Sequence, residues 1–187
     1  MEKKHSVCPW WLGYFLACPL RRFFEDPAKI LATYVHEGMT VLEPGPGMGF
    51  FTLELARRVG DAGRVVAVDI QPKMLAVLNR RAAKAGLQNR VETRLIPPDR
   101  MGLTDLAGKV DFALAFAMVH ELPDAGGFFR ELAGTLKPGG TVLLVEPGGH
   151  VKAEGFDREL TLAAAAGLGV TGRPKLGRNH AAVLRKG

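Results

Sequence analysis

Three glycines at alternate positions stand between a short apolar run and an amphipathic one, in VLEPGPGMGFFTLELA (41–56). Gly45, Gly47 and Gly49 would let the backbone pass close to a ligand at the carboxyl end of a strand, where doubly wound sheets bind small molecules. Glu43, two residues before the first glycine, would repel a pyrophosphate and attract an ammonium group. The loop therefore favours a ligand with a positive end and no phosphates.

Two common nucleotide-binding motifs do not fit this loop. A dinucleotide fingerprint, G-x-G-x-x-G, needs a glycine three residues after Gly47, where this chain has Phe50. A nucleoside triphosphate P-loop needs a Lys-Ser or Lys-Thr pair after the glycines, and none follows. The sequence thus disfavours a nicotinamide oxidoreductase.

A second carboxylate, Asp69, stands near the end of RVVAVDI (64–70). An acidic side chain at the tip of a second strand reaches a ribose diol in dinucleotide-binding folds. By position alone, Asp69 fits equally well as the N-cap of a helix that starts at Gln71. Taken with Glu43 and the glycines, the ribose interpretation is favoured. A ligand with a ribose, a cationic amino-acid end and no phosphate is S-adenosylmethionine.

From residue 40 onward, short β-branched runs alternate with longer amphipathic ones, which is typical of βαβ units and a mainly parallel sheet. The predicted strands are 40–45, 64–70, 89–96, 110–118 and 141–147. Helices are predicted at 26–35, 50–60, 71–86 and 156–169, with a helix and turn at 124–140. Two final extended pieces, 170–177 and 180–186, suit an antiparallel hairpin. Since no repeat or linker is present, we predict a single domain over 1–187, with an N-terminal helical or lid segment (1–35) and a cofactor-binding core (36–187).

Four motifs follow one another along this pattern. They are E-x-G-x-G-x-G (43–49), V-x-V-D (66–69), VDFALAFAMVHELPD (110–124) and LKPGGTVLLVEP (136–147). From about residue 26 to its end, the chain closely resembles the class I S-adenosylmethionine-dependent methyltransferases, particularly the small-molecule type similar to ubiquinone/menaquinone biosynthesis C-methyltransferases. The resemblance implies an α/β, Rossmann-like, seven-stranded, mostly parallel sheet with helices on both faces and the last strand antiparallel, preceded by an N-terminal helical segment. It also implies S-adenosylmethionine as the cofactor.

The same resemblance implies a set of cofactor contacts at the carboxyl ends of the first strands. The cofactor-binding residues would be Glu43, Gly45, Gly47, Gly49, Asp69, Ile70, Asp99 and Phe116. Glu43 and Gly45 would face the methionine moiety, Asp69 would hold the ribose hydroxyls, and Ile70 would lie against the adenine. Asp99, in LIPPDRM, takes the place of the aspartate that usually follows strand three in a G-D-A sequence, and a surface turn is the alternative for it.

The methyl acceptor is expected beside the end of strand four, in FAMVHELPD (116–124). Methyl transfer is a displacement at a sulfonium carbon, so catalysis can come largely from proximity, alignment and exclusion of water. His120 could orient or deprotonate the acceptor, with Glu121 as its neighbour in the catalytic pair. The two side chains fit equally well as a structural pair that fixes the turn into the next helix.

The opening stretch, MEKKHSVCPWWLGYFLACPL (1–20), resembles a secretory or lipoprotein signal in its basic start and apolar run. Proline and tryptophan interrupt the run, and S-adenosylmethionine is a cytoplasmic metabolite, so we predict a cytoplasmic protein without a transmembrane segment. We interpret the stretch as a lid in which Trp10, Trp11 and Tyr14 help to bind the acceptor, with a plain packing helix as the alternative. A lid of this kind suits an apolar acceptor and would also suit peripheral contact with a membrane.

Composition leaves other functions open. The formal net charge of +6 keeps an RNA methyltransferase as an alternative, although the cations are spread along the chain and no Asn/Asp-Pro-Pro-Tyr sequence is present. A non-catalytic adenosylmethionine-binding regulator is a second alternative. Cys8 and Cys18 match neither a disulfide framework nor a zinc site, so no metal is predicted. We predict methyl transfer to a small apolar acceptor, while the sequence leaves that acceptor's identity and the oligomeric state open.

Overall fold

The computed structural model describes residues 25–187, and seven strands in this part of the chain form one sheet. The strands are β1 (Thr40–Pro44), β2 (Arg64–Asp69), β3 (Val91–Leu95), β4 (Val110–Phe116), β5 (Leu136–Glu146), β6 (Leu168–Gly172) and β7 (His180–Lys186). Their order across the sheet is β3-β2-β1-β4-β5-β7-β6. The first five strands pair in parallel, and β7 pairs antiparallel with both β5 and β6. The predicted fold class, including the antiparallel last strand, is confirmed.

Helices cover both faces of this sheet. They are α1 (Pro27–Leu31), α2 (Thr52–Val59), α3 (Pro72–Lys84), α4 (Ala125–Thr135) and α5 (Ala153–Ala165). Because side chains alternate along a strand, Val41 packs in the cluster that contains α1 and α2, while Leu42 packs in the cluster that contains α4 and α5. Central strands buried on both faces explain why β4 is almost wholly apolar.

Several element boundaries differ from the sequence-based ones. Helix α1 ends at Leu31, before the predicted end at residue 35. Strand β5 begins at Leu136, where we had predicted the end of a helix and a turn, because Leu136 pairs with Val110 ahead of a register shift. Helix α5 ends before Gly167, whose φ of 85° stops the helix and lets β6 start at Leu168.

No helix among residues 25–187 is long and apolar enough to cross a membrane. The core predicted at 36–187 corresponds to the sheet and most of its helices, and its separation from a segment at 1–35 stays a prediction because residues 1–24 lie outside the described part.

Candidate functional site

A cavity of about 510 Å³ opens at the carboxyl ends of β1, β2 and β4. The chain moves outward from β1 to β3 and then crosses to β4 on the other side of β1, so the strand order reverses at this point. Open α/β sheets bind ligands at such a switch point. The fold therefore places this cavity where the glycine loop after β1 was expected to act.

All of the predicted cofactor residues except one line this cavity. The lining members are Glu43, Gly45, Gly47, Asp69, Ile70, Asp99 and Phe116. Glu121, predicted as a catalytic residue, lines it as well. Gly49 and His120 are not among the lining residues. Trp10, Trp11 and Tyr14 lie outside the described residues, so their contact with the acceptor stays a prediction.

Gly49 packs the glycine loop against helix α3 instead of facing the cavity. Its φ is +83°, and a Cβ built on it would overlap the Cδ1 atom of Leu78, which is fully buried. Its amide donates to the carbonyl oxygen of Pro46 at 3.0 Å. Gly49 thus performs the helix-packing role for which the dinucleotide fingerprint would use a glycine at position 50, and the sequence spacing alone did not reveal this.

We expect Gly49→Ala to lower the free energy of unfolding by about 2–4 kcal/mol, since it adds a left-handed backbone penalty to an overpacked core. The matched control is Gly47→Ala. Gly47 also has a positive φ, of +54°, but nothing lies within 4 Å of the added Cβ. That control should lose only about 1–2 kcal/mol. Urea unfolding of the ligand-free proteins measures both, and equal losses in the two variants would contradict the packing role.

Glu43 is a buried carboxyl group that has not satisfied its hydrogen-bonding capacity. Its residue surface is 4% exposed, and its Oε2 atom accepts no hydrogen bond from any residue in 25–187. Burial raises the pKa of Glu43 to about 8; the neighbouring Thr52 hydroxyl lowers it by less, and Asp69 adds a smaller increase. An unpartnered buried oxygen at the cavity wall fits a cationic or hydrogen-bond-donating ligand.

Asp69 lines the cavity, and its contact with a ribose stays a prediction. Its Oδ1 atom accepts from the backbone N–H of Gln71 at 2.8 Å. The alternative interpretation of Asp69 as the N-cap is wrong, because α3 begins at Pro72 and its N-cap is Gln71. Burial raises its pKa, while backbone N–H groups of Gln71, Gly47 and Ile70 act in the opposite direction. The same backbone contacts hold the carboxylate at the edge of β2, so that it is fixed before a ligand binds.

The charges around the cavity are mostly negative, although the whole chain carries a formal charge of +6. Among residues 25–187, Arg100 is the one arginine or lysine that lines the cavity. The lining carboxyl groups belong to Glu43, Asp69, Asp99, Glu121, Asp124 and Glu131. Such a wall favours a cation and disfavours phosphates.

Methionine and phenylalanine side chains contribute eight of the residues that line the cavity. The methionines are Met48, Met74, Met101 and Met118, which are four of the six in the chain, and the phenylalanines are Phe50, Phe51, Phe116 and Phe128. Phe51 and Phe116 contact each other with ring centroids 4.4 Å apart. Methionine is polarizable and pairs well with aromatic rings, so these side chains suit an apolar, ring-bearing molecule.

The turn after β4 contains a backbone feature that sequence did not predict. Ala117 has a φ of 55°, and it is the one non-glycine residue with positive φ in the described part of the chain. Its amide donates to the carbonyl oxygen of Val145 at 2.7 Å. Strained residues persist where the surrounding structure holds them, and they concentrate at functional sites. Here the unusual φ lies between Phe116 and Met118, both of which line the cavity.

His120 is adjacent in sequence to the cavity-lining residue Glu121, but its polar contact is with Glu146, which does not line the cavity. Its Nδ1 atom is hydrogen-bonded to Oε2 of Glu146, the last residue of β5. This bond raises the pKa of His120, against a smaller opposing effect of burial. The predicted His120–Glu121 pair is thus divided: Glu121 reaches the cavity, and His120 binds Glu146. The one available signal for Glu146 was a carboxylate at the end of an otherwise apolar strand.

Among residues 25–187, no three His, Cys, Asp or Glu side chains are arranged to hold a metal ion. S-adenosylmethionine fits the donor set better, because an acidic wall with an unpartnered carboxylate oxygen matches its ammonium and sulfonium groups. Asp69, at the tip of β2, suits its ribose diol.

Comparison with known proteins identifies the family. Residues 41–140, more than half of the chain, match the family model described as a methyltransferase domain. The chain is 31% identical over 149 residues to a ubiquinone biosynthesis O-methyltransferase from Caulobacter vibrioides, covering 80% of this chain and 56% of that protein. It is 32% identical over 112 residues to a ubiquinone/menaquinone biosynthesis C-methyltransferase from Idiomarina loihiensis, covering 60% of this chain and 44% of that one. The chain thus spans about half the length of these curated relatives.

Among solved structures, an S-adenosylmethionine-dependent methyltransferase from Aquifex aeolicus superposes with a TM-score of 0.83 at 26% identity. The superposition covers 96% of this chain and 98% of that one, so the similarity includes the whole sheet and the glycine loop. The chain therefore belongs to the methyltransferase domain family, as a class I S-adenosylmethionine-dependent methyltransferase whose cofactor is S-adenosylmethionine, and these predictions from sequence are confirmed.

Proposed function

We propose that this chain transfers the sulfonium methyl group of S-adenosylmethionine to a small, apolar, ring-bearing acceptor of the quinone-precursor type. One observation carries the proposal: the same cavity is lined by the glycine loop, by carboxyl groups, and by methionine and phenylalanine side chains. The carboxyl groups suit the cationic cofactor, and the methionine and phenylalanine side chains suit the acceptor. The two relatives above, which are named for methylation in quinone biosynthesis, support the same acceptor class.

Five of the lining residues would bind and orient the cofactor, which supplies the methyl group on its sulfonium sulfur. Glu43 and Gly45 would contact the methionine moiety, and Asp69 would accept hydrogen bonds from the ribose. Ile70 and Asp99 would bind the adenine ring and its amino group, respectively. Their support is their common position around one cavity at the end of β1 and β2.

Met118 would pack against the acceptor and exclude water, and Phe116 would do so in addition to its predicted contact with the cofactor. Exclusion of water favours a displacement reaction in which charge is dispersed. The bond from the methyl carbon to sulfur breaks as the bond to the acceptor forms. Glu121, which lines the cavity, is the proposed base that takes the acceptor's proton when the acceptor is a hydroxyl or an acidic carbon. We propose this role for Glu121 and not for His120, because Glu121 lines the cavity and His120 is not among the lining residues.

A nucleic-acid acceptor fits the site less well, because phosphates would approach a cavity lined by six carboxyl groups and one guanidinium.

A cytoplasmic location is proposed with the function, since the methyl donor is a cytoplasmic metabolite.

The cofactor part of this proposal predicts a clear order of affinities. We expect S-adenosylmethionine and S-adenosylhomocysteine to bind at least about 100-fold more tightly than NAD, because the lining contributed by residues 25–187 would present a pyrophosphate with six carboxyl groups and one guanidinium. Isothermal titration calorimetry measures all three. A preference for NAD would overturn the cofactor assignment.

The acceptor can be found by incubating the protein with isotopically labelled methyl donor in a cell extract and identifying which molecule gains the label. Label in an apolar ring-bearing metabolite is the expected result. Label in RNA would overturn the acceptor class, and tight cofactor binding without transfer to any molecule would favour a regulator. The Glu121→Gln variant is the matched control, because it should keep cofactor affinity within about threefold and lose most of the transfer.

A further inference from the structure

The carboxylate of Glu146 connects strand β5 to the turn that follows β4. Glu146 is fully buried. Its Oε1 atom accepts from the backbone N–H of Val119 at 2.8 Å, and its Oε2 atom is bonded to Nδ1 of His120. Both partners belong to the short 3₁₀ turn Val119–Glu121. One buried side chain therefore holds two successive residues of this turn.

The turn held in this way carries two of the cavity's lining residues. Met118 precedes it and Glu121 ends it, and both line the cavity. Met118 also contacts the glycine loop, since a Cβ on Gly45 would lie 3.3 Å from its Cβ. Just before them, the strained Ala117 is hydrogen-bonded to Val145, the residue that precedes Glu146. Two consecutive residues of β5 thus fix the backbone from 117 to 120.

Several titratable groups face the His120–Glu146 contact. Glu121 lies on the same turn, Glu159 comes from α5, and the ring of His150 stacks on His120 with centroids 6.4 Å apart. His180 of β7 lies opposite Glu146 in the sheet, with its ring bonded to the carbonyl oxygen of Val151.

Burial raises the pKa of Glu159 to about 8, with Glu146 as a further cause, while His120 and Arg158 lower it. Glu159 is therefore mostly neutral at pH 7. The hydrogen bond to Glu146 and the nearby carboxylates raise the pKa of His120, which strengthens the contact.

We propose that His120 and Glu146 form a positioning pair, which holds Glu121 and Met118 in the cavity lining without touching the acceptor. The inference rests on the proposed methyl transfer, because it assigns these residues a part in that reaction. It predicts that kcat depends on the hydrogen bond from position 120 to Glu146 and does not depend on the basicity of the imidazole.

Two substitutions of His120 separate positioning from base catalysis. An asparagine amide N–H can replace the Nδ1–H donor to Glu146, but it cannot take up a proton. We expect His120→Asn to keep at least half of the wild-type kcat and His120→Ala to lose about tenfold or more. Cofactor affinity should stay within about twofold in both variants, since His120 is not among the residues that line the cavity. If His120→Asn loses as much kcat as His120→Ala, the imidazole acts in the chemistry and the proposal is overturned.

A second measurement needs no acceptor. Histidine titration followed by NMR should show His120 with a pKa above the ordinary 6.5 in the wild type, and closer to 6.5 in Glu146→Gln. The amide of Val119 should exchange with solvent at least tenfold faster in Glu146→Ala. The control, His150→Asn, removes the stacked ring and should leave the Val119 exchange rate unchanged.

An unshifted His120 in both the wild type and Glu146→Gln would overturn the pairing. Should the Glu146 variants fail to fold, the comparison of the two His120 variants decides the matter. A wild type that binds cofactor, shows the shifted His120 and methylates nothing would instead count against the proposed function, so the two failures are distinguishable.

Discussion

Asp69→Asn is expected to weaken S-adenosylmethionine binding by about 50-fold and to leave the fold intact. Hydrogen bonds to a charged group are worth about 1.5–3 kcal/mol each, and an amide cannot accept from both ribose hydroxyls as a carboxylate can. Asparagine retains the hydrogen bond to Gln71, because its side-chain oxygen can still accept from that N–H. Calorimetric titration gives the affinity, and urea unfolding checks the stability.

A modified ligand tests whether the lost energy belongs to the ribose. The wild type should bind 2′,3′-dideoxy-S-adenosylhomocysteine on the order of 50-fold more weakly than S-adenosylhomocysteine, whereas Asp69→Asn should discriminate between the two by less than about fivefold. Unchanged discrimination in the variant would show that Asp69 does not hold the ribose. Asp69→Ala should bind as weakly as Asp69→Asn but lose about 0.5–1.5 kcal/mol of stability in addition, because it also removes the hydrogen bond to the N–H of Gln71.

Glu43→Gln is expected to raise the free energy of unfolding at pH 7 and to weaken cofactor binding. The pKa of the Glu43 carboxyl is about 8 in the folded protein against an ordinary value of 4.5, so the folded state holds a proton that the unfolded state has lost between these pH values. Stability contributed by this group is therefore undiminished below pH 4.5, falls as the pH rises to about 8, and is constant above that. By pH 7 the wild type should have lost about 3 kcal/mol relative to Glu43→Gln.

The ligand-free protein favours the protonated carboxyl group of Glu43. The bound cofactor favours the ionised carboxylate, because its ammonium group would lie next to Glu43. Binding to the wild type should release a proton below pH 8, which calorimetry in buffers of different ionisation enthalpy detects. Glu43→Gln should release none at this position and bind about 30-fold more weakly. Proton uptake by the wild type, or tighter binding by the variant, would contradict the placement of the cofactor's amino group at Glu43.

The sequence predicted the sheet and most of the site because both depend on local patterns. Apolar runs of strand length and the glycines after β1 each act within a few residues of one another. Parallel strands bring their carboxyl ends to one edge, so Glu43 and Asp69 could be placed together from order alone. Family membership and the cofactor followed from the same motifs.

What the sequence missed depends on contacts between distant segments. Gly49 could not be assigned to packing without knowing that Leu78 of α3 lies against it. His120 and Glu121 are adjacent in sequence and looked like a pair, but a turn directs adjacent side chains differently, and the partner of His120 is 26 residues away on β5. No local pattern encodes that contact.

By itself, then, the sequence determined an α/β methyltransferase domain with its cofactor motif, since hydrophobic periodicity and turn chemistry are properties of short segments. The tertiary structure alone decided which carboxylates are buried without a partner, which of the two residues after β4 faces the cavity, and which strand holds that turn. Desolvation and side-chain pairing are set by what packs from elsewhere in the chain, and these two effects give Glu43 its raised pKa and His120 its bond to Glu146.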